Sequence, residues 1–288
     1  MMIDHVQLYD TYLQTAVQAA HAAGEIISAA FSKPKSVILK GAVDLVTETD
    51  KAAEALIMAA LQDAFPSHQF IGEEGSAEQG FASELTDEPT WMCDPLDGTT
   101  NFVHSFPFVC VSIALVINKK AVVGVVYNPV MKELFTAVTG RGATLNGNPI
   151  SCSNTTSLGS ALLATEVGTS RSTPTLDAIF TRVRTLTSAM RAVRCCGSCA
   201  LNLCGVACGR LDAFYEVGFG GCWDAAAGAL VVTEAGGAVS DTNGAEFDVM
   251  GRRVLASNRV LAPALMQLLA GCVDSPEEPP RGALQKQQ

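Results

Sequence analysis

The chain has 288 residues, 48% hydrophobic and 17% charged, a balance that supports a large packed core and excludes global disorder. Its formal net charge of -10 argues against nucleic acid or an anionic membrane as partner, because an acidic surface repels both. The ten cysteines sit mostly inside apolar runs, as Cys110 does in FPFVCVSIALVI and Cys204 in ALNLCGVACG, the usage of buried free thiols in a reducing compartment. The start, MMIDHVQLYD, carries acids and no basic stretch, so it does not read as a secretory signal and a cytoplasmic location is expected. Residues 11–31 place Leu13, Ala16, Val17, Ala20, Gly24 and Ile27 at helical spacing, interrupted by Gln14, Gln18, His21 and Glu25. That pattern predicts an amphipathic soluble helix, not a membrane span.

A second helix is predicted after Thr49-Asp50, in KAAEALIMAALQDAF, ended by Pro66. Short strands follow at Gln69–Ile71 and Thr90–Cys93. Val109–Ile117 and Ala121–Tyr127 are β-branched runs joined across Asn118-Lys119-Lys120, a hairpin signal, with Glu133–Val138 as a third antiparallel strand. TGRGATLNGNP reads as a glycine-rich loop. Further on, Leu158–Glu166 and Leu211–Val217 read as strands, and Thr175–Met190, Ala200–Gly209 and Trp223–Ala235 as helices, the last stopped by Gly236-Gly237. Alternating helices and strands predict an α/β layered protein. No repeat or linker divides it, so residues 1–275 are expected to form one domain in two halves, about 1–150 and 151–275. A polar, proline-rich tail over 276–288 is expected to be mobile.

Three acidic clusters stand far apart in the chain: Gly72-Glu73-Glu74-Gly75, Cys93-Asp94-Pro95-Leu96-Asp97-Gly98-Thr99-Thr100, and Cys222-Trp223-Asp224-Ala225. A strand ending in Asp-Pro-x-Asp-Gly puts two carboxylates at its carboxyl edge, with Pro95 fixing the turn, and ligand sites in α/β sheets favour that edge. Oxygen ligands without histidine suit Mg²⁺ better than Zn²⁺. Asp97-Gly98-Thr99-Thr100 can also open a helix whose free N–H groups accept phosphate. Carboxylates alone repel a phosphate dianion, so carboxylates beside an anion-binding turn imply metal ions between them. Taken singly, Asp97 and Asp224 fit helix N-caps equally well, Asp50 fits a capping box with Thr47, and Glu73-Glu74 fits a solvated loop.

The conjunction resembles the inositol monophosphatase family. DPLDGTTNF at 94–102 is similar to its D-P-x-D-G-T-x-N-F pattern, and Trp223-Asp224-Ala225-Ala226-Ala227-Gly228 to its W-D-x-A-A-G pattern. Gly72-Glu73-Glu74 and Asp44-Leu45-Val46-Thr47-Glu48-Thr49-Asp50 resemble its two other blocks, in matching order across roughly residues 5–270. The resemblance implies a five-layer α-β-α-β-α sandwich of the inositol monophosphatase/fructose bisphosphatase type, a homodimer, and Mg²⁺-dependent, lithium-sensitive phosphomonoester hydrolysis. It implies two to three Mg²⁺ per site. Glu73, Asp94 and the Leu96 carbonyl would hold the first; Asp94, Asp97 and Asp224 the second; a third would lie near Glu73 and, through water, Asp50. Water on the first ion would attack phosphorus with help from Glu73 and Thr99, as two-metal displacement requires. Lys40 would support the site. Asp97, Gly98, Thr99 and Asp224 would also face the substrate, and Gly197, Ser198, Cys199 and Glu216 would line its ring. The loop between Glu216 and Trp223 resembles plant-type enzymes, which act on inositol phosphates and include phosphatases of L-galactose 1-phosphate. A small phosphorylated polyol or sugar is therefore the expected substrate.

Two rivals come from the cysteines. Cys204 to Arg210 has the C-x5-R spacing of cysteine phosphatases, although Leu201, Cys204 and Cys208 at helical spacing fit a core face equally. Cys196-Gly197-Ser198-Cys199 is a C-x-x-C, but it lacks the second knuckle of a zinc site. No G-x-x-x-x-G-K-[ST] loop is present, which disfavours an NTPase.

Overall fold

The computed structural model describes residues 5–39, 45–79 and 84–282. Helix α1 (His5–Phe31) leads to a short antiparallel pair, β1 (Val37–Leu39) and β2 (Leu45–Thr47), and then to α2 (Glu48–Ala64). There follow β3 (Gln69–Gly72), α3 (Glu73–Gln79), β4 (Thr90–Asp97), α4 (Thr99–Val103), β5 (Cys110–Ile117), β6 (Lys120–Asn128), β7 (Glu133–Val138), β8 (Ala143–Leu145) and β9 (Asn148–Pro149). Strands β3 to β9 form one sheet in sequence order, antiparallel except for the parallel β3–β4 pair.

The later part of the chain contributes β10 (Leu162–Thr165), α5 (Thr173–Ala189), β11 (Ala192–Arg194), α6 (Cys199–Ala207), β12 (Ala213–Val217), α7 (Cys222–Glu234), β13 (Ala238–Ser240), β14 (Arg253–Ser257) and α8 (Ala262–Ala270). Its sheet runs β11-β10-β12-β14-β13, with parallel pairs around β10 and antiparallel pairs around β14. Helices α1 and α2 cover one face of the first sheet, α6 and α7 fill the space between the sheets, and α5 and α8 cover the far side. That is the α-β-α-β-α order. Among the described residues no helix is long and apolar enough to cross a membrane.

Strand β5 shows why the layers form. Its side chains alternate, as a strand requires: Val111, Ile113 and Leu115 join the core under α1 and α2, while Cys110, Ala114 and Val116 join the core around α6 and α7. A strand buried on both faces reads as a continuous apolar run. Helix α7 lies so close to the sheet that a Cβ on Gly124 would stand 2.9 Å from the Ala227 carbonyl oxygen. The small residues of Asp224-Ala225-Ala226-Ala227-Gly228 permit that approach.

The strand expected from Leu158 begins at Leu162, after a short 3₁₀ turn at Leu158–Ser160. Strands β11, β13 and β14 and helix α8 lie outside the predicted elements, and the stretch expected as a glycine-rich loop carries the short strands β8 and β9. The expected free tail is corrected over residues 276–282. Glu278 forms an ion pair with buried Arg182, Arg281 pairs with Asp274 at 2.5 Å, and the Gly282 N–H donates to Asp241 at 2.7 Å. Asp44 and Lys40 lie outside the described residues.

Candidate active site

Strand β4 delivers the Asp-Pro-Leu-Asp segment. Asp94 pairs with Ser112 and Asp97 with Cys110, so three steps on β4 oppose two on β5. This is a bulge of one residue, and Pro95 fits there because a bulge leaves a backbone donor unused. In a regular strand, residues three apart point to opposite faces. The bulge turns Asp97 to the face of Asp94, toward α6 and α7, while Leu96 joins the opposite core. Gly98 then turns the chain at φ 94°, and a Cβ there would stand 2.9 Å from the Phe108 carbonyl oxygen. Only glycine meets both demands.

Each acid is anchored. Asp94 accepts from the Leu96 N–H at 2.9 Å. One oxygen of Asp97 accepts from the Ser198 hydroxyl at 2.6 Å and the Ala200 N–H at 2.8 Å, which ties β4 to the start of α6. Asp224, in the first turn of α7, accepts from the Gly220 N–H at 2.8 Å. Glu73 opens α3, next to the end of β3. Burial raises the Asp94 carboxyl well above its usual range, and the charges of Glu73, Asp97 and Asp224 push it further. Asp224 is raised in the same way by burial, then by Asp97 and Glu73. Burial lifts Asp97 to about 6 against the hydrogen bonds that favour its charged form. Four acids from three distant segments therefore converge. None of the ion pairs among the described residues involves Asp94, Asp97 or Asp224.

Asp50 contacts Thr99 as well as capping its own helix. One of its oxygens accepts from the Thr47 N–H at 2.9 Å and from the Thr47 hydroxyl, closing the capping box of α2. The other lies 3.0 Å from the Thr99 hydroxyl, which is also 3.1 Å from the Leu96 carbonyl oxygen. The capping box expected for Asp50 is formed, and its second oxygen reaches Thr99, just after β4. Burial raises its pKa.

On the other side, Glu216 lies one residue before the end of β12. Its Oε2 is buried and has no hydrogen-bond partner among the described residues. Burial raises its carboxyl well above the usual range, then the charges of Glu166, Asp224 and Asp97; a bond to Cys199 opposes this. Cys199 is 4% exposed at the start of α6. Ser198 is buried; its hydroxyl serves Asp97 and caps the Leu201 N–H. Gly197 is exposed.

Three residues of this region were absent from the sequence-based set. Glu166 accepts from the N–H groups of Cys196 and Gly197 and from Asn202. The Asn101 amide donates to the carbonyls of Phe108 and Cys196. Glu54 accepts from the N–H groups of Glu74 and Gly75. The sequence signal for Glu54 is an acid inside the apolar stripe of α2.

The cysteine rivals fall on geometry. Cys204 is fully buried with its thiol pKa raised well above the usual value, and Arg210 forms an ion pair with Glu133. No phosphate cradle joins them. All ten cysteines are free, and among the described residues no group of three His, Cys, Asp or Glu stands ready-made to hold an ion. The donor chemistry nevertheless fits a hard divalent cation: carboxylates and a backbone carbonyl, with Asp94 and Asp224 raised by burial and then by neighbouring negative charge that a cation would offset.

The model of the "Inositol monophosphatase family" matches residues 8–274. "Inositol monophosphatase 2" of Solanum lycopersicum is 59% identical over 260 residues, covering 90% of this chain and 98% of that protein. "Inositol monophosphatase 1" of Homo sapiens is 45% identical over 250 residues, covering 86% and 90%. Among solved structures, the inositol monophosphatase of Anabaena superposes with a TM-score of 0.79 at 35% identity, covering 92% of this chain and 97% of that one. The suhB protein of Bartonella henselae superposes at 0.82 and 35%, covering 91% and 100%. The chain belongs to the inositol monophosphatase family, and with that membership comes a divalent-metal-dependent phosphatase activity.

Proposed function

We propose that the chain hydrolyses inositol monophosphates, releasing the polyol and inorganic phosphate. The observation that carries this reading is the convergence of Glu73, Asp94, Asp97 and Asp224, in which burial and then the charges of the neighbouring acids raise Asp94 and Asp224. Glu73, Asp94 and the Leu96 carbonyl would hold one Mg²⁺, and Asp94, Asp97 and Asp224 a second; a third would lie near Glu73 and Asp50. When bound, these ions supply water activation and neutralise charge on the phosphoryl group.

The chain's own residues do the rest. Thr99 lies within hydrogen-bond reach of Asp50. Donating there leaves its oxygen lone pairs to accept a hydrogen bond from an attacking water; as the water's proton moves to Thr99, the hydroxyl's own proton would pass to the Asp50 carboxylate, so Thr99 relays and Asp50 is the base. Ser198 and the Ala200 N–H fix Asp97. The unpartnered oxygen of Glu216 suits a ring hydroxyl, with Gly197 and Cys199 beside it. Gly98 and Thr99 supply backbone donors for phosphate. We further propose a homodimer in a reducing, cytoplasmic setting, supported by the family resemblance and the ten free thiols; sedimentation tests the dimer.

The test is kcat/KM on inositol 1-phosphate, L-galactose 1-phosphate and a generic aryl phosphate, with Mg²⁺ and with chelator. Inositol 1-phosphate is expected to lead, and chelation to abolish all three activities. Glu216→Gln should shift preference among the polyol phosphates by roughly tenfold to hundredfold, the span of a charge-assisted hydrogen bond of about 1.5–3 kcal/mol. An equal fall on every substrate would remove Glu216 from ring recognition.

A further inference from the structure

We infer that Glu54 is a positioning residue that sets the β3–α3 turn so that Glu73 faces Asp94. The inference rests on the proposed role of Glu73 as a metal ligand. Helix α2 buries Asp50, Ala53, Glu54, Ile57 and Leu61, the spacing of a core-facing stripe. Two members of that stripe are acids. A carboxylate in such a place is tolerated only when hydrogen bonds replace water. Those of Asp50 come from Thr47 and Thr99. Those of Glu54 come from two successive backbone groups: Oε2 accepts from the Glu74 N–H at 2.8 Å and Oε1 from the Gly75 N–H at 2.9 Å.

These N–H groups lie in the first turn of α3, where no intrahelical acceptor is available. Glu54 therefore grips the backbone immediately after Glu73 with both of its oxygens. Asp50 and Glu54 are four residues apart and share one face of α2. Through that face a single helix holds Thr99, which follows β4, and the turn after β3. The two strands are parallel neighbours, with Gly72 opposite Cys93, so their turns leave the same sheet edge side by side. The fit is close: a Cβ on Gly72 would stand 2.8 Å from the Glu54 carboxyl carbon. Glycine is required here by space, because its φ lies outside the left-handed region.

The experiment compares full-length Glu54→Gln, Gly72→Ala and Glu73→Gln with the wild type. Calorimetry reads Mg²⁺ affinity without substrate, and kinetics read kcat and KM across Mg²⁺ concentrations. Glu54→Gln turns one acceptor into a donor that faces an N–H. It should weaken Mg²⁺ binding about tenfold, the scale for residues that orient a ligand. The substrate KM at saturating Mg²⁺ should stay within about twofold, because positioning of the metal ligand does not touch ring recognition. Gly72→Ala displaces the carboxylate with its charge intact and should give the same loss of Mg²⁺ affinity. Wild-type Mg²⁺ affinity in both variants, with binding weakened in Glu73→Gln, overturns the inference and leaves Glu73 a ligand. A lower melting temperature without altered affinity overturns it equally. Wild-type affinity in Glu73→Gln overturns the ligand assignment, and the inference with it.

Discussion

At the scale of single residues, the site is a cluster of acids held against their own repulsion. Asp94 stands at its centre, repelled by Glu73, Asp97 and Asp224. Asp94→Asn should reduce kcat/KM by roughly a thousandfold or more, since a cation stabilises the transition state by several kcal/mol at about 1.4 kcal/mol per decade. The same change should leave the metal-free fold as stable as the wild type or more so, read by thermal melting. Near-normal turnover at saturating Mg²⁺ would remove Asp94 from the metal set. The raised carboxyls also carry a pH dependence whose sign can be worked out. A carboxyl with a higher pKa folded than unfolded binds its proton more readily in the folded state, so falling pH stabilises the fold. For Asp97 the interval runs from about 6 down to 3.8; Asp94, Asp224 and Glu216 are shifted in the same direction. Metal-free protein should therefore melt at higher temperature at pH 5 than at pH 7, and saturating Mg²⁺ should reverse that order, because ligands must be ionised to bind. Equal melting temperatures without metal would show that the acids are not buried together. The four acids were legible in the sequence because each lies in a block whose local chemistry is visible. Glu54 and Glu166 were not, because their partners are 20 to 36 residues away and a lone acid carries no sign of what it accepts. Cys199 differs again. A regulatory role would need exposure, yet it is buried with its thiol pKa raised well above the usual value; the exposed thiol of this turn is Cys195. Thiol reactivity follows exposure and thiolate fraction, so oxidation at Cys199 is disfavoured.

At the scale of elements, the site depends on how closely α7 lies on the first sheet. Helix α7 carries Asp224, and its backbone touches Gly124 of β6 across the layer. Gly124→Ala would drive a methyl group into the Ala227 backbone at 2.9 Å. Backbone yields less readily than a flexible side chain, so α7 must shift as a body. Overpacking of this kind costs about 1–3 kcal/mol, to be read from the urea midpoint. The shift would also move Asp224, so Mg²⁺ affinity should fall with stability. A destabilised variant with unchanged Mg²⁺ affinity would show that α7 relaxes without carrying Asp224. Elements with strong periodicity, such as β5, β6 and α2, were read correctly from sequence because both faces are buried or one face is clearly apolar. Strands β13 and β14 were missed for a physical reason. Strands β13 and β14, Ala238–Ser240 and Arg253–Ser257, are too short to show alternation. The bulge at Pro95 was read only as a turn, because register is a property of two strands and not of one.

At the scale of the whole molecule, the segment after α8 is a strap and not a free end. PEEPPRG has the composition of a mobile tail, yet Glu278 reaches Arg182, 96 residues earlier, on α5. Both side chains are nearly buried, at 3% and 2% exposure, and Asp274 also pairs with Arg182, at 3.1 Å. Pro279 offers its carbonyl to Arg253 of β14 at 2.9 Å, and Ser172, the N-cap of α5, donates to Glu277 at 2.5 Å. The strap therefore joins the outer helix layer to the second sheet. Composition could not reveal this, because the partner charges come from distant elements and only folding brings them together. Breaking a buried ion pair from one side leaves a desolvated charge, at about 3–5 kcal/mol, whereas replacing both partners by apolar groups is often neutral. Glu278→Ala should accordingly destabilise the protein by somewhat less than about 3 kcal/mol, because Asp274 still faces Arg182. The double variant Arg182→Met/Glu278→Leu should recover most of that loss. Urea midpoints of the wild type, Arg182→Met, Glu278→Leu and the double variant give the coupling directly. Activity per folded molecule at saturating Mg²⁺ should be unchanged throughout, since no strap residue is among the acids proposed to hold metal. Strictly additive losses would show that Arg182 and Glu278 act independently. No loss in Glu278→Ala would return the segment to the mobile tail that its composition suggests.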